Sequence, residues 1–196
     1  MLKVGITGGI GSGKTTICNL FKNLGVPIFS SDIEGRIILN EDEEVRAEIV
    51  KTYGKDMFFS DGTLDRARMV TLIFSDPKAL EHVSSLVHPK VQKRFEKWCA
   101  KNVGRPYVIK EAAILFESGH YHDLDKIINV FAPKEVRLER VISRDKTIKE
   151  DVMKRMRFQY SDEERNQLAD FIIMNENIDD LMPQVMALHE VFINET

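Results

Sequence analysis

Residues Gly8-Gly9-Ile10-Gly11-Ser12-Gly13-Lys14-Thr15 have the types and spacing needed to hold a phosphate chain. They satisfy G-x-x-x-x-G-K-[ST] at every position. The apolar run Leu2–Thr7 precedes them, and Ile17, Leu20, Phe21 and Leu24 follow at helical spacing. Strand, loop and helix in that order make the pattern a P-loop. A triphosphate needs several N–H donors close to its oxygens, and glycine lets successive amides turn inward with no Cβ in the way. Gly9, Gly11, Ser12 and Gly13 form the cradle. Lys14 reaches the β- and γ-phosphates as a point charge, and Thr15 offers its hydroxyl to Mg²⁺, with Thr16 next to it. The helix beginning near Gly13 aims its partial positive charge at the same place. The alternative, a Gly-rich turn that happens to contain lysine, does not call for the strand before or the helix after.

Five further charged positions, in three places along the chain, suggest chemistry. Gly25–Ser30 reads as a second strand, with Asp32 just past its end. Ligands of parallel α/β sheets lie beyond the carboxyl ends of strands, so Asp32 falls on the P-loop's rim, where a carboxylate can accept a proton from a hydroxyl. Ser31 and Asp32 suit equally the N-cap of a helix over Ile33–Leu39, and position alone leaves both roles open. Tyr107–Glu111 reads as a third strand ending on an acid. That is the Walker B arrangement, in which Glu111 orients Mg²⁺ or its water, unless it is an ordinary strand-end charge. Arg137, Arg140 and Arg144 recur at i, i+3 and i+7, a stripe able to clamp transferring phosphates. They belong to a segment, 134–157, with nine basic and five acidic residues, inside a chain of net charge −3. A solvated helix is the bland alternative. The local basic excess favours a lid over about 136–159, with its tip at Asp145–Lys149 and a returning helix at Lys154–Gln159.

The elements that must position these groups read as alternating strands and helices. Asp125–Phe131 gives a fourth strand, Ala169–Asn175 a fifth, and Ile178–Phe192 a closing helix. Ala112–Glu117 continues the third strand into a turn or short helix. The alternation is broken by a helical stretch over about 41–103, interrupted at the Asp61-Gly62 turn. From Asp76-Pro77 to about Asn102 it carries Leu80, Val83, Leu86, Val87, Val91, Phe95 and Trp98 as an apolar stripe. His88-Pro89 lies inside it. Proline removes an intrahelical hydrogen bond, so a kink or break is expected there, and a lone histidine in such a helix is more often structural than functional. The expected fold is α/β: a five-stranded parallel sheet flanked by helices, with the core at about 1–40, 104–135 and 160–196, plus the helical insertion and the lid. One domain is expected for 196 residues.

Composition narrows the function classes. With 43% hydrophobic and 30% charged residues the chain is ordinary for a globular protein, and its slight acidity argues against coating nucleic acid. No run approaches the roughly 20 apolar residues that span a bilayer, and no signal-like N-terminus is present. A cytoplasmic protein without membrane attachment or an obligate protein partner is expected. Cys18 and Cys99 are too few and too far apart in sequence to suggest a disulfide or metal framework. Asp32-Ile33-Glu34-Gly35 fits the D-x-x-G of GTPase switches, but no N-K-x-D follows a later strand. A phosphate-transferring enzyme with a second substrate under the helical insertion fits the parts.

The order of short motifs resembles one family, the dephospho-CoA kinases. These motifs are T-G-G-I-G-S-G-K-T at Thr7–Thr15, Asp32 with Arg36, D-G-T-L at Asp61–Leu64, and H-P at His88-Pro89. Then follow I-L-F-E at Ile114–Glu117, R-x-x-x-R-D at Arg140–Asp145, R-M-x-x-Q at Arg155–Gln159, and A-D-x-x-I-x-N at Ala169–Asn175. The resemblance implies transfer of the γ-phosphoryl of ATP to the ribose 3′-hydroxyl of dephospho-CoA. It implies Asp32 as the acceptor-side base, Lys14 and Thr15 as phosphate and Mg²⁺ residues, and Arg140 as a lid arginine, with Arg144 on the nucleotide as well. By the same resemblance Asn175 lies where the loop after the last strand passes the adenine, and Arg36, His88, Phe116 and Glu117 lie on the acceptor. Two departures stand out. The family often has D-A-D where this chain has Ser30-Ser31-Asp32, and P-L-L-F-E where it has Ala113–Glu117. Any Mg²⁺ or acceptor role of the family's first aspartate then falls to Ser30, Glu111 or water. A nucleoside monophosphate kinase and a non-catalytic nucleotide switch are the competing readings.

Overall fold

The computed structural model describes residues 1–195. Five segments are extended: β1 (Leu2–Thr7), β2 (Ile28–Ser30), β3 (Tyr107–Glu111), β4 (Lys126–Phe131) and β5 (Phe171–Met174). They form one parallel sheet in the order β2-β3-β1-β4-β5. β1, β3 and β4 read as nearly unbroken apolar runs because both faces of a parallel sheet are covered. Val4, Ile6, Ile109, Ile128, Val130 and Ile173 are buried with Ile17 and Phe21 of α1 (Lys14–Asn23). The register sets Ile6 opposite Glu111 and Ser30 opposite Glu111, which gathers the carboxyl ends of β1, β2 and β3. The outer strands are shorter than their apolar runs suggested. β2 begins only at Ile28, since Pro27 has no N–H for a ladder, and β5 stops at Met174.

Contacts divide the chain into two compact units, Met1–Ser30 with Cys99–Thr196, and Ser31–Trp98. The helical unit starts at Ser31, not near residue 41, so it includes Asp32 and Arg36. It is built from α2 (Ser31–Glu41), α3 (Glu43–Tyr53), α4 (Arg66–Ser75) and most of α5 (Pro77–Ala100). Asp42 and Asp65 cap α3 and α4 by accepting from the amides of Val45 and Arg68. In α5, Ala79, Val83, Val87, Val91 and Phe95 are buried at a strict four-residue spacing, and Gly35 lets α2 approach Val87. The break expected at His88-Pro89 is absent: α5 runs through Pro89. Pro89 and Ser85, whose carbonyl loses its donor, are exposed, so water can satisfy that carbonyl.

The sheet unit is completed by α6 (Lys134–Asp145), α7 (Lys149–Met156), α8 (Asp162–Leu168) and α9 (Leu181–Asn194). The expected lid is thus two helices reversed at Lys146, the one non-glycine residue of positive φ (50°) among the described residues. The returning helix begins earlier, at Lys149, and ends before Gln159. Residues 113–119 are a turn. Tyr107 closes the far end of the sheet, its hydroxyl 2.6 Å from His189 Nδ1 and its ring edge-on to Phe21 and Phe192.

Candidate active site

Between β1 and α1 the chain doubles back, with the Ser12 amide donating to Gly9 O at 3.0 Å. Gly13 is left-handed (φ 92°, ψ 24°), and a Cβ there would strike the side-chain amide of Asn175. A Cβ on Gly9 would strike the guanidinium of Arg137 and come within 2.9 Å of Arg165 Nη2. Among the described residues the amides of Gly11, Gly13 and Thr15 meet no protein acceptor. Lys14 is 9% exposed and its Nζ donates to Gly8 O at 2.8 Å, while Thr15 and Thr16 are exposed. Unspent donors, two hydroxyls and an ammonium therefore meet at the positive end of α1, the donor set an anionic phosphate chain and its cation require.

Side chains brace this loop from behind. Asn175 is buried and donates from Nδ2 to Ser12 O at 2.7 Å, so its amide supports the cradle. Beside it lies a surface depression of about 620 Å³, lined by Met174, Glu176, Asn177, Asp180, Pro183 and Gln184. The arginine stripe splits into three fates. Arg137 is buried, donates from Nε to Ala132 O (2.9 Å) and pairs with Asp162 at 2.6 Å; burial pulls its pKa down, against the pull of Asp162. Arg140 is half-buried, and its Nη1 is buried with no hydrogen-bond partner. Arg144 is exposed and held by Asp145 at 2.7 Å, and Arg155 reaches the same carboxylate at 3.0 Å. The Arg144 hydrogen bond, aided by Arg155, holds the Asp145 carboxyl down at about 2. Of the three, Arg140 alone forms no ion pair among the described residues, whereas Arg137 has become part of the scaffold.

Sequence reasoning missed Arg165 and Asp162. Arg165 is 2% exposed and donates to Asp162 Oδ1 at 2.5 Å and to Tyr160 O. The one signal was their i, i+3 spacing behind the Ser161 and Glu164 capping box, which surface helices show equally.

At the strand ends, Ser30 Oγ donates to Glu111 Oε2 at 2.7 Å. The serine that departs from the family pattern is thereby joined to the acid proposed for the metal. The Cys18 thiol nearby is pushed up to about 12 by burial, reinforced by the charge of Glu111 and opposed by Lys14. Glu117 accepts from the Tyr160 amide through Oε1 at 2.7 Å, while its Oε2 is buried without a partner. Phe116 is 2% exposed and packs edge-on to Tyr121. In the helical unit, Asp32 stands half-buried in the first turn of α2, and among the described residues its carboxylate caps no helix amide. Arg36 is exposed and His88 half-buried. Among the described residues no cluster of three or more His, Cys, Asp or Glu is arranged to hold a metal by itself.

The family model for dephospho-CoA kinase matches residues 2–180. A dephospho-CoA kinase of Bacteroides fragilis is 37% identical over 187 residues, 95% of this chain and 91% of the relative. One from Chlorobaculum tepidum is 38% identical, covering 96% and 94%. Among solved structures, TT1252 from Thermus thermophilus superposes with a TM-score of 0.86 at 30% identity, over 100% of this chain and 98% of that one. A dephospho-CoA kinase from Campylobacter jejuni gives 0.72 at 26% identity over 99% and 98%. Shikimate kinase from Acinetobacter baumannii, at 13% identity and 0.52, shares the fold alone. A P-loop that keeps the amides of Gly11, Gly13 and Thr15 unspent and family motifs that run from Thr7 to Asn175 agree with these relatives: the chain belongs to the dephospho-CoA kinase family, and it is a kinase.

Proposed function

We propose that the protein phosphorylates the ribose 3′-hydroxyl of dephospho-CoA with ATP and Mg²⁺, as a cytoplasmic enzyme, using Asp32 as base. The observation that carries the donor half is the set of unspent groups at one sheet end: the amides of Gly11, Gly13 and Thr15, and the buried Nη1 of Arg140. Gly9, Ser12 and Thr16 complete the cradle's contacts. Phosphoryl transfer spreads charge over the γ-phosphoryl oxygens, so donors fixed before the reaction stabilise the transition state with little reorganisation. Lys14 would leave Gly8 O for the phosphates, and Arg140 would meet the developing charge. Arg144 joins it only after releasing Asp145. Thr15 and Glu111 would hold Mg²⁺, which would supply positive charge to offset that of the phosphates. Asp32 orients the acceptor hydroxyl and takes its proton late. Arg36, His88 and Glu117 bind the acceptor, Phe116 shapes its wall from the core, and Asn175 serves ATP by holding Ser12 and Gly13 in place. Among the described residues no helix is long and apolar enough to cross a membrane.

The test is ATP consumption by purified protein with Mg²⁺, with dephospho-CoA in one tube and adenosine monophosphate in another. Turnover with dephospho-CoA alone is expected; turnover only with the monophosphate would overturn the acceptor. Asp32→Asn should lower kcat by about a hundredfold or more with the KM for ATP nearly kept. Unchanged kcat would remove Asp32 from the base role.

A further inference from the structure

The segment joining α7 to α8 does more than connect them. Its Gln159 accepts from the Ile10 amide of the P-loop through Oε1 at 2.8 Å and donates from Nε2 to Ala113 O, also at 2.8 Å. One side-chain amide therefore links three places remote in sequence: the phosphate loop, the turn after β3, and the end of the α6–α7 pair. The next residue repeats the tie, since the Tyr160 amide donates to Glu117 Oε1 in the same turn. The Ile10 side chain is engaged as well. It packs against the apolar cluster of Leu138, Val141 and Val152, to which Ile142, Met153 and Met156 add. The P-loop is thus held to α6–α7 by packing and to their exit by a hydrogen bond. Beyond Tyr160 the segment is anchored, because Arg165 binds Tyr160 O and shares Asp162 with Arg137.

We infer that Gln159 is a positioning residue that ties the setting of α6–α7 and of the 113–117 turn to the shape of the P-loop. This rests on the kinase reading and on α6–α7 as the lid. The Ile10 amide immediately precedes the unspent Gly11 amide, so a shift at Ile10 re-aims the donors of the cradle. Lid and acceptor-side turn both reach Ile10 through one amide group. A lid that closes only by moving Gln159 changes the phosphate cradle at the same time, which links closure to competence for transfer.

Two variants separate this from a stabilising role. Gln159→Met keeps the length and loses both bonds. Gln159→Glu keeps an acceptor for Ile10 but sets a carboxylate against Ala113 O. With dephospho-CoA and ATP, kcat of Gln159→Met is expected to fall about tenfold, the scale of one lost positioning hydrogen bond, with the KM for ATP within threefold. Gln159→Glu should fall between it and the unmodified enzyme. Amide exchange at Ile10, followed with and without ADP in the unmodified protein and both variants, gives a readout independent of turnover. Exchange at least tenfold faster in Gln159→Met is expected, and less of an increase in Gln159→Glu. Variants that melt earlier yet keep kcat and Ile10 protection overturn the inference. If Gln159→Met does not fold, Gln159→Glu decides by the same two measurements. If the unmodified enzyme leaves dephospho-CoA untouched, the acceptor reading fails and the exchange data still judge Gln159.

Discussion

Among the described residues Asp162 is the shared ion-pair partner of two buried guanidinium groups that lie against the phosphate loop, so removing its charge should be costly. Arg137 and Arg165 side chains are 5% and 3% exposed, and they reach Asp162 at 2.6 and 2.5 Å. Each is a charge-assisted hydrogen bond worth about 1.5–3 kcal/mol, and stripping one partner from a buried ion pair costs about 3–5 kcal/mol. Asp162 is itself 25% exposed, and the asparagine in Asp162→Asn still accepts one bond, so the lower end applies, about 3 kcal/mol. For a chain of this size 1 kcal/mol moves Tm by about 2–4 °C, so Tm should drop by about 6–12 °C. The assay is thermal unfolding by far-ultraviolet circular dichroism at pH 7. Asp151→Asn serves as a control, because its pair with Lys154 is 3.2 Å long and exposed on both sides. Gly9 lies against both guanidinium groups, so the KM for ATP should rise at temperatures where Asp162→Asn is still folded. A Tm drop under about 2 °C, no larger than the control's, would refute the idea that this cluster supports the loop.

Asp145→Asn should cost less than about 1 kcal/mol at pH 7, because its arginine partners are on the surface. Its folded pKa is depressed, so its contribution is complete above the ordinary carboxylate range and is lost as pH falls through about 2; the gap between the two melting curves should close over that interval. Cys18, buried and held at about 12, should be alkylated at pH 8 at least about a hundredfold more slowly in the folded protein than in urea, as mass spectrometry of its peptide would show.

The sheet was legible because parallel strands buried on both faces are nearly unbroken apolar runs, and the P-loop because its glycines answer a local steric demand. Leu2–Thr7 and Tyr107–Glu111 were read to the residue. The outer strands were not: Pro27, with no N–H for the ladder, delays β2 to Ile28, and β5 pairs only over Phe171–Met174. The helical stripe at Arg137, Arg140 and Arg144 gave a face but no partners. Asp162, which turns Arg137 into scaffold, stands on α8, and nothing local to α6 announces it. Asn175 and Gln159 were visible as motif members. Their amides turned toward Ser12 and Ile10 only once β5 and the α7 exit were placed beside the loop. Pro89 misled because proline's penalty was assigned without knowing that its face of α5 is exposed.

Ser30 offers the sharpest test of how this chain departs from its family. Its hydroxyl donates to Glu111 at 2.7 Å, so the Glu111 carboxyl faces a neutral donor in place of a second acid. Ser30→Asp would set a second carboxylate within hydrogen-bonding reach of the first. Like charges that close cannot both ionise freely, so one carboxyl pKa should rise and the cation-free protein should lose about 1 kcal/mol at pH 7. With Thr15 and Glu111 holding Mg²⁺ as proposed, the ion should reverse the sign, because its positive charge relieves the repulsion and the new carboxylate adds a ligand. Melting curves with and without Mg²⁺ and ATP should therefore diverge more in Ser30→Asp than in the unmodified protein, and half-maximal activity should need less Mg²⁺. If Ser30→Asp is destabilised equally with and without the cation, and its Mg²⁺ requirement is unchanged, then Glu111 does not face the metal. The Ser30–Glu111 bond would then be strand-end packing, and the cation would rest on Thr15 and the phosphates.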